Sequence, residues 1–285
     1  MTASCSDPAE AAVVSADDMN MSTKTYEMVA LDLDGTLLAS NHRLDDEQAK
    51  YLRSLREEKN FLVTFATGRG ASSVYEHVRK LNIPELPVVC SNGARGLICR
   101  ADGSIKEELF YDPVPEEIVR RTVALSHKLG YAVQYYYEDD TYANQTTDRH
   151  YELTTLYSNL TGSIITHVED DFEPLLRAQK LPSKLLVLFD ESHHQEAQVE
   201  FKKEFGSDAS IVCGLFDWFV EVLSPNVNKG EGLKKMVNEK ESSIYIRILK
   251  ARVDMTLNLP QKSRRNTFTY FSPQPLLIIF TIFSR

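Results

Sequence analysis

The chain has 285 residues, 42% hydrophobic and 26% charged, with a formal net charge of -9. That length suits one large or two modest domains with a sizeable core. The acidic balance excludes a protein that binds nucleic acid by neutralising its phosphates with a broad basic face, so a small soluble ligand is the expected partner.

Residues 1–24 are rich in Ala, Ser and acids and have neither the apolar stretch of a signal peptide nor the basic character of a transit peptide. They read as a disordered tail. The cysteines, Cys5, Cys90, Cys99 and Cys213, match neither CxxC nor zinc-ligand spacing, which points to a reducing compartment and a cytoplasmic protein. Residues 28–33 are apolar except for Asp32, the pattern of a strand covered on both faces of a parallel sheet and ending in a carboxylate. Asp45 and Asp46 then stand where helix N-terminal acids belong, ahead of Ala49, Leu52 and Leu55 at helical spacing, with Asn60 as an end cap. A second strand over 61–66 breaks at Thr67-Gly-Arg-Gly70. A helix over 72–81 and a third strand over 87–90 follow, the latter ending in Ser91-Asn-Gly93. This alternation predicts a doubly wound α/β sheet whose ligand site lies outside the carboxyl ends of its strands.

From about residue 96 the pattern changes to strands at 131–137, 141–144, 184–189, 209–213 and 218–223, with helices near 150–160 and 193–205. It predicts an inserted α+β unit. The boundaries expected are a core from 25 to 95, the inserted unit from 96 to 220, a return to the core over 221–241, and an atypical tail from 242 to 285. The apolar run 276–283 is far shorter than the roughly 20 residues that span a bilayer. It reads as a buried strand or as unfolded, and no membrane partner is expected.

Asp32 and Asp34 carry the chemistry. A carboxylate attacking a phosphate dianion is repelled by it, so a site built on one needs a divalent cation and a fixed positive side chain. Two strand-end carboxylates can supply the nucleophile and part of a magnesium site. Gly35, lacking a β-carbon, lets backbone amides approach phosphoryl oxygens, and Thr36 adds a hydroxyl or steadies the turn. Asp-x-Asp-Gly also occurs in plain turns and calcium loops, but residues 37–43 lack the further acids and closing Glu of an EF-hand. Tyr135-Tyr-Tyr137 fits a pocket lining or simple alternation on a half-buried strand.

Asp32-Leu-Asp-Gly-Thr36 resembles motif I of the haloacid dehalogenase superfamily of phosphohydrolases, and residues 26 to about 240 resemble its Cof-type branch. The resemblance implies that Asp32 attacks phosphorus to form an aspartyl-phosphate. Asp34 would protonate the leaving group and then activate water, its carbonyl binding Mg2+. Thr67, followed by Gly68 and Arg69, matches motif II and would hold the phosphoryl group. Asn92 and Gly93 match the loop that contacts the substrate's phosphate. Lys229, in a Lys-Gly pair opening a helix, matches motif III, while Lys234 and Lys235 read as solvated face. The inserted unit resembles the family's α/β cap.

Motif IV, a Gly-Asp-x-x-x-Asp type stretch whose carboxylates complete the magnesium shell, has no counterpart here. Glu239, Glu241 and Asp254 are the only acids after Met236, and Asp254 is the one candidate stand-in ligand. The tail is basic, with Lys262, Arg264 and Arg265 clustered, and this shift suggests a different origin, such as a retained intron or a misassigned exon. As written, the core is expected to be truncated at its C-terminal side, with residues 244–249 as a replacement strand. The function expected is a Mg2+-dependent phosphatase of a small phosphorylated metabolite, either a sugar phosphate or a phosphorylated cofactor. A catalytically impaired phosphate-binding relative and a phosphomutase remain open alternatives, and the sequence leaves oligomeric state undefined.

Overall fold

The computed structural model describes residues 28–38, 43–58, 61–213, 217–239, 266–271 and 276–282. One sheet has seven strands in the order β12-β13-β1-β2-β3-β4-β5. They are β1 (Met28–Leu31), β2 (Leu62–Ala66), β3 (Leu86–Cys90), β4 (Arg95–Cys99), β5 (Ile105–Tyr111), β12 (Asn266–Phe271) and β13 (Leu276–Ile282). β13, β1, β2 and β3 run parallel, and β12, β4 and β5 pair antiparallel to their neighbours.

The apolar run of β1 is explained by burial on both faces. Val29 and Leu31 point to a cluster with Leu52 and Leu55 of α1 (Asp46–Glu57) and Val78 and Leu81 of α2 (Tyr75–Leu81). Met28 and Ala30 point the other way, onto Leu233 and Met236 of α7 (Lys229–Glu239). At the start of α1, the Asp45 carboxylate accepts the Gln48 N–H at 2.7 Å and the Gln48 side chain accepts the Asp45 N–H at 3.4 Å. This reciprocal cap is worth about 1 kcal/mol. Asn60, the expected end cap, lies outside the described residues.

The second sheet has six strands in the order β10-β11-β9-β6-β7-β8: β6 (Ala132–Tyr137), β7 (Asp140–Asn144), β8 (Ile165–Val168), β9 (Lys184–Leu188), β10 (Ser210–Cys213) and β11 (Phe219–Leu223). α3 (Glu116–Leu129) and α6 (His194–Phe205) cover one face, packing Val119, Val123, Phe201 and Phe205 on Tyr135, Val187 and Val220. The opposite face presents Ala132, Tyr136, Leu186, Leu188 and Phe219, met by Leu153 and Tyr157 of α4 (Asp148–Thr161). A short helix, α5 (Glu173–Arg177), adds Leu176 to the face covered by α3 and α6.

Two features of the sheets bear on the sequence expectations. The inserted unit was expected to start at residue 96, yet β4 and β5 belong to the seven-stranded sheet. The turn at 91–94 folds the chain straight back, so that Leu86 to Cys90 pair antiparallel with Cys99 to Arg95. The apolar run 276–282 forms β13, parallel to β1 with Met28 opposite Leu276, which is the strand alternative of the two readings given for it. Residues 244–249, the expected replacement strand, lie outside the described residues.

Candidate active site

Asp32 follows β1 directly. One carboxylate oxygen, Oδ1, accepts the Leu33 N–H at 2.8 Å, and the other, Oδ2, lies 2.7 Å from Lys229 Nζ. The chain then makes a wide turn in which the Leu37 and Leu38 N–H groups donate to the Asp32 and Leu33 carbonyls at 3.2 and 2.9 Å. Gly35 takes the left-handed conformation this turn needs, at φ 70°. Gly35 is exposed and Thr36 partly so. Burial pushes the Asp32 carboxyl above its ordinary value, and the opposing pull of Lys229 and of the Leu33 N–H only partly offsets it.

Lys229 reaches Asp32 because α7 docks tightly on the loop after β3. A β-carbon on Gly232 would come 2.7 Å from the Gly93 Cα, and one on Gly93 would come 2.1 Å from the Asn228 carbonyl oxygen. Only two glycines permit that approach. The helix start is fixed by the Asn228 side chain, which accepts the Glu231 N–H at 3.0 Å. Lys234 pairs with Glu231 and Lys235 with Asp112, away from Asp32.

The loops after β2 and β3 are joined by backbone bonds. Ser91 N–H donates to the Arg69 carbonyl at 2.8 Å, and Asn92 N–H to the Thr67 carbonyl at 3.0 Å. Ser91, Asn92 and Gly93 all have positive φ, a strained run of the kind found at ligand sites. Thr67 is fully buried, and its hydroxyl accepts the Arg69 N–H at 3.1 Å. Arg69 forks onto Asp34, Nε to Oδ2 at 2.8 Å and Nη2 to Oδ1 at 2.7 Å. This is the strong bidentate geometry of guanidinium and carboxylate.

Asp32, Asp34, Arg69 and Lys229 are thus brought together, with Thr67 and Gly68 in the adjoining loop. Asn92 faces elsewhere, its amide donating to Glu221 of β11 at 2.6 Å. Asp254 lies outside the described residues. Among the described residues no group of three or more His, Cys, Asp or Glu side chains gathers as a metal cluster, and none of the helices is long and apolar enough to cross a membrane. Sequence reasoning missed His77, Lys184 and Glu221. His77 is buried with Nε2 3.4 Å from Arg69 Nη1, and burial followed by the Arg69 charge holds its pKa below the ordinary value. The signal for the other two was a charge inside an otherwise apolar strand, Leu-Pro-Ser-Lys184-Leu-Leu and Phe-Val-Glu221-Val-Leu.

The chain is similar to an uncharacterised hydrolase of Schizosaccharomyces pombe, 26% identical over 77% of this chain and 72% of the relative. It is also similar to an HMP-PP phosphatase of Yersinia pestis, 24% identical over 74% of this chain and 71% of the relative. Its fold matches the solved structure of a sugar phosphatase of haloacid dehalogenase subclass IIB, with a TM-score of 0.57 and 17% identity over 74% and 75% of the two chains. The model of the haloacid dehalogenase-like hydrolases matches residues 29–244, from β1 through the six-stranded sheet to α7, and the chain belongs to that family.

Proposed function

We propose that the protein hydrolyses a small phosphorylated metabolite, a sugar phosphate or a phosphorylated cofactor, through an aspartyl-phosphate at Asp32. The observation that carries this reading is the Asp32–Lys229 pair at 2.7 Å, formed by residues from opposite ends of the fold at the carboxyl edge of β1. The names of the two phosphatase relatives support the substrate class.

Lys229 favours the ionised form of Asp32 against the effect of burial and offsets its repulsion from the incoming phosphoryl group. In the first transfer an Asp32 oxygen bonds to phosphorus, the bond from phosphorus to the ester oxygen breaks, and Asp34 gives that oxygen a proton. In the second, Asp34 takes a proton from the water that attacks phosphorus, and Asp32 is freed. Arg69 engages both Asp34 oxygens in the structure, so Asp34 must leave the guanidinium to carry a proton. A substrate phosphate is itself a bidentate partner for Arg69 and would draw it away.

The donor set suits Mg2+, which is bound by one or two carboxylates together with phosphate oxygens and water. Asp32 and Asp34 would hold the ion, and when bound it would screen the charge of the phosphoryl oxygens.

The test is phosphate release from an aryl phosphate with and without Mg2+, beside an Asp32→Asn control, and Mg2+ titration calorimetry on both proteins. Mg2+-dependent release lost in the control supports the reading; equal release by the control defeats it. Because both Asp34 oxygens are engaged by Arg69, a phosphate-binding relative without turnover is the second reading. Binding of inorganic phosphate without release from any ester would favour it.

A further inference from the structure

Lys184 and Glu221 belong to the six-stranded sheet, yet both reach into the site loops of the other sheet. Lys184 is 1% exposed and Glu221 6% exposed, and they form an ion pair with one another. Lys184 Nζ also donates to the Gly68 carbonyl at 2.8 Å, in the loop that carries Thr67 and Arg69. Glu221 accepts the Asn92 amide at 2.6 Å through its other oxygen. Two further contacts converge on the same corner. The Ser183 and Ser91 hydroxyls lie 3.0 Å apart, and the Tyr136 ring lies against Gly70, where an added β-carbon would stand 3.3 Å from Tyr136 Cδ1.

A fully buried Lys and Glu are costly to desolvate and return that cost only when every remaining donor and acceptor is satisfied. Here the outstanding partners are a carbonyl and an amide from the other sheet. If the two sheets part, the pair loses both, while the strands that carry it keep their ladders. We propose that Lys184 and Glu221 are positioning residues that latch the six-stranded sheet onto the two site loops, so that Gly68, Arg69 and Asn92 take their working arrangement only when the sheets are closed together. The role in turnover rests on the phosphatase reading above; the latch itself does not.

The test uses the full chain as wild type, Glu221→Gln, Lys184→Met, and the double variant Lys184→Met with Glu221→Leu. Each single variant leaves a buried charge unpaired and should lower the thermal midpoint, whereas the double variant, with both charges gone, should recover most of that loss but stay below wild type, because the Gly68 carbonyl and the Asn92 amide lose their partners. A latch requires that kcat on an aryl phosphate stays down by about tenfold or more in all three, with KM changing less than about threefold. It also requires that backbone amides of residues 67–70 and 91–94 exchange faster than in wild type while those of β9 do not. Recovery of kcat together with the midpoint in the double variant would overturn the proposal, as would unchanged exchange in both loops. If the wild type releases no phosphate, the phosphatase reading fails, and the exchange measurement alone decides the latch.

Discussion

Gly93 illustrates how much of the site rests on single atoms. At φ 107° and with the Asn228 carbonyl where its β-carbon would be, it admits no side chain. Gly93→Ala should therefore cost about 3 kcal/mol in denaturant unfolding and displace Lys229. A midpoint within error of wild type would contradict the close docking of α7. His77 makes a pH-dependent case. Its folded pKa lies below the ordinary 6.5, so beneath pH 6.5 the unfolded chain takes up a proton that the folded chain does not. Stability should fall as pH drops from 6.5 toward the lowered value and be indifferent to this group above it. Against His77→Gln, which cannot titrate there, wild type should lose more stability between pH 7.5 and pH 5; parallel curves would dismiss the effect. Asp32, Asp34, Thr67 and Lys229 were legible in the sequence because their chemistry sits in short fixed patterns. For Lys184 and Glu221 the sequence shows only a charge in an otherwise apolar strand, and what that charge does is legible only once its partner, 37 residues away in the chain, is seen beside it.

At the scale of elements, β1, β2, β3 and the helices between them could be read from periodicity, since each strand is apolar on both faces and each helix carries one apolar stripe. β4 and β5 could not. Their pairing depends on the positive-φ turn at 91–93 reversing the chain, and Arg95, buried between Glu108 and Asp139, gives no apolar signal. The tail was read as a strand or as unfolded, and its pairing partner is non-local. Because β13 bonds along the full length of β1, a chain ending at residue 265 should expose the backbone of β1 and aggregate or lose cooperative unfolding. A truncated chain as stable and monodisperse as the full one would remove β13 from the account.

Across the whole molecule, two sheets meet at one corner, and the loops between them hold the candidate site. Asp32 stands at the centre, with one cation from α7 beside it and a second, Arg69, on its neighbour Asp34. The most direct test of the central claim is to quench a turnover of aryl phosphate with acid, reduce the protein with borohydride, and locate the modified carboxylate by peptide mass spectrometry. The account predicts conversion of Asp32 to homoserine, dependent on substrate and absent from Asp32→Asn. Steady phosphate release with no modification at Asp32, or with modification at another carboxylate, would contradict it.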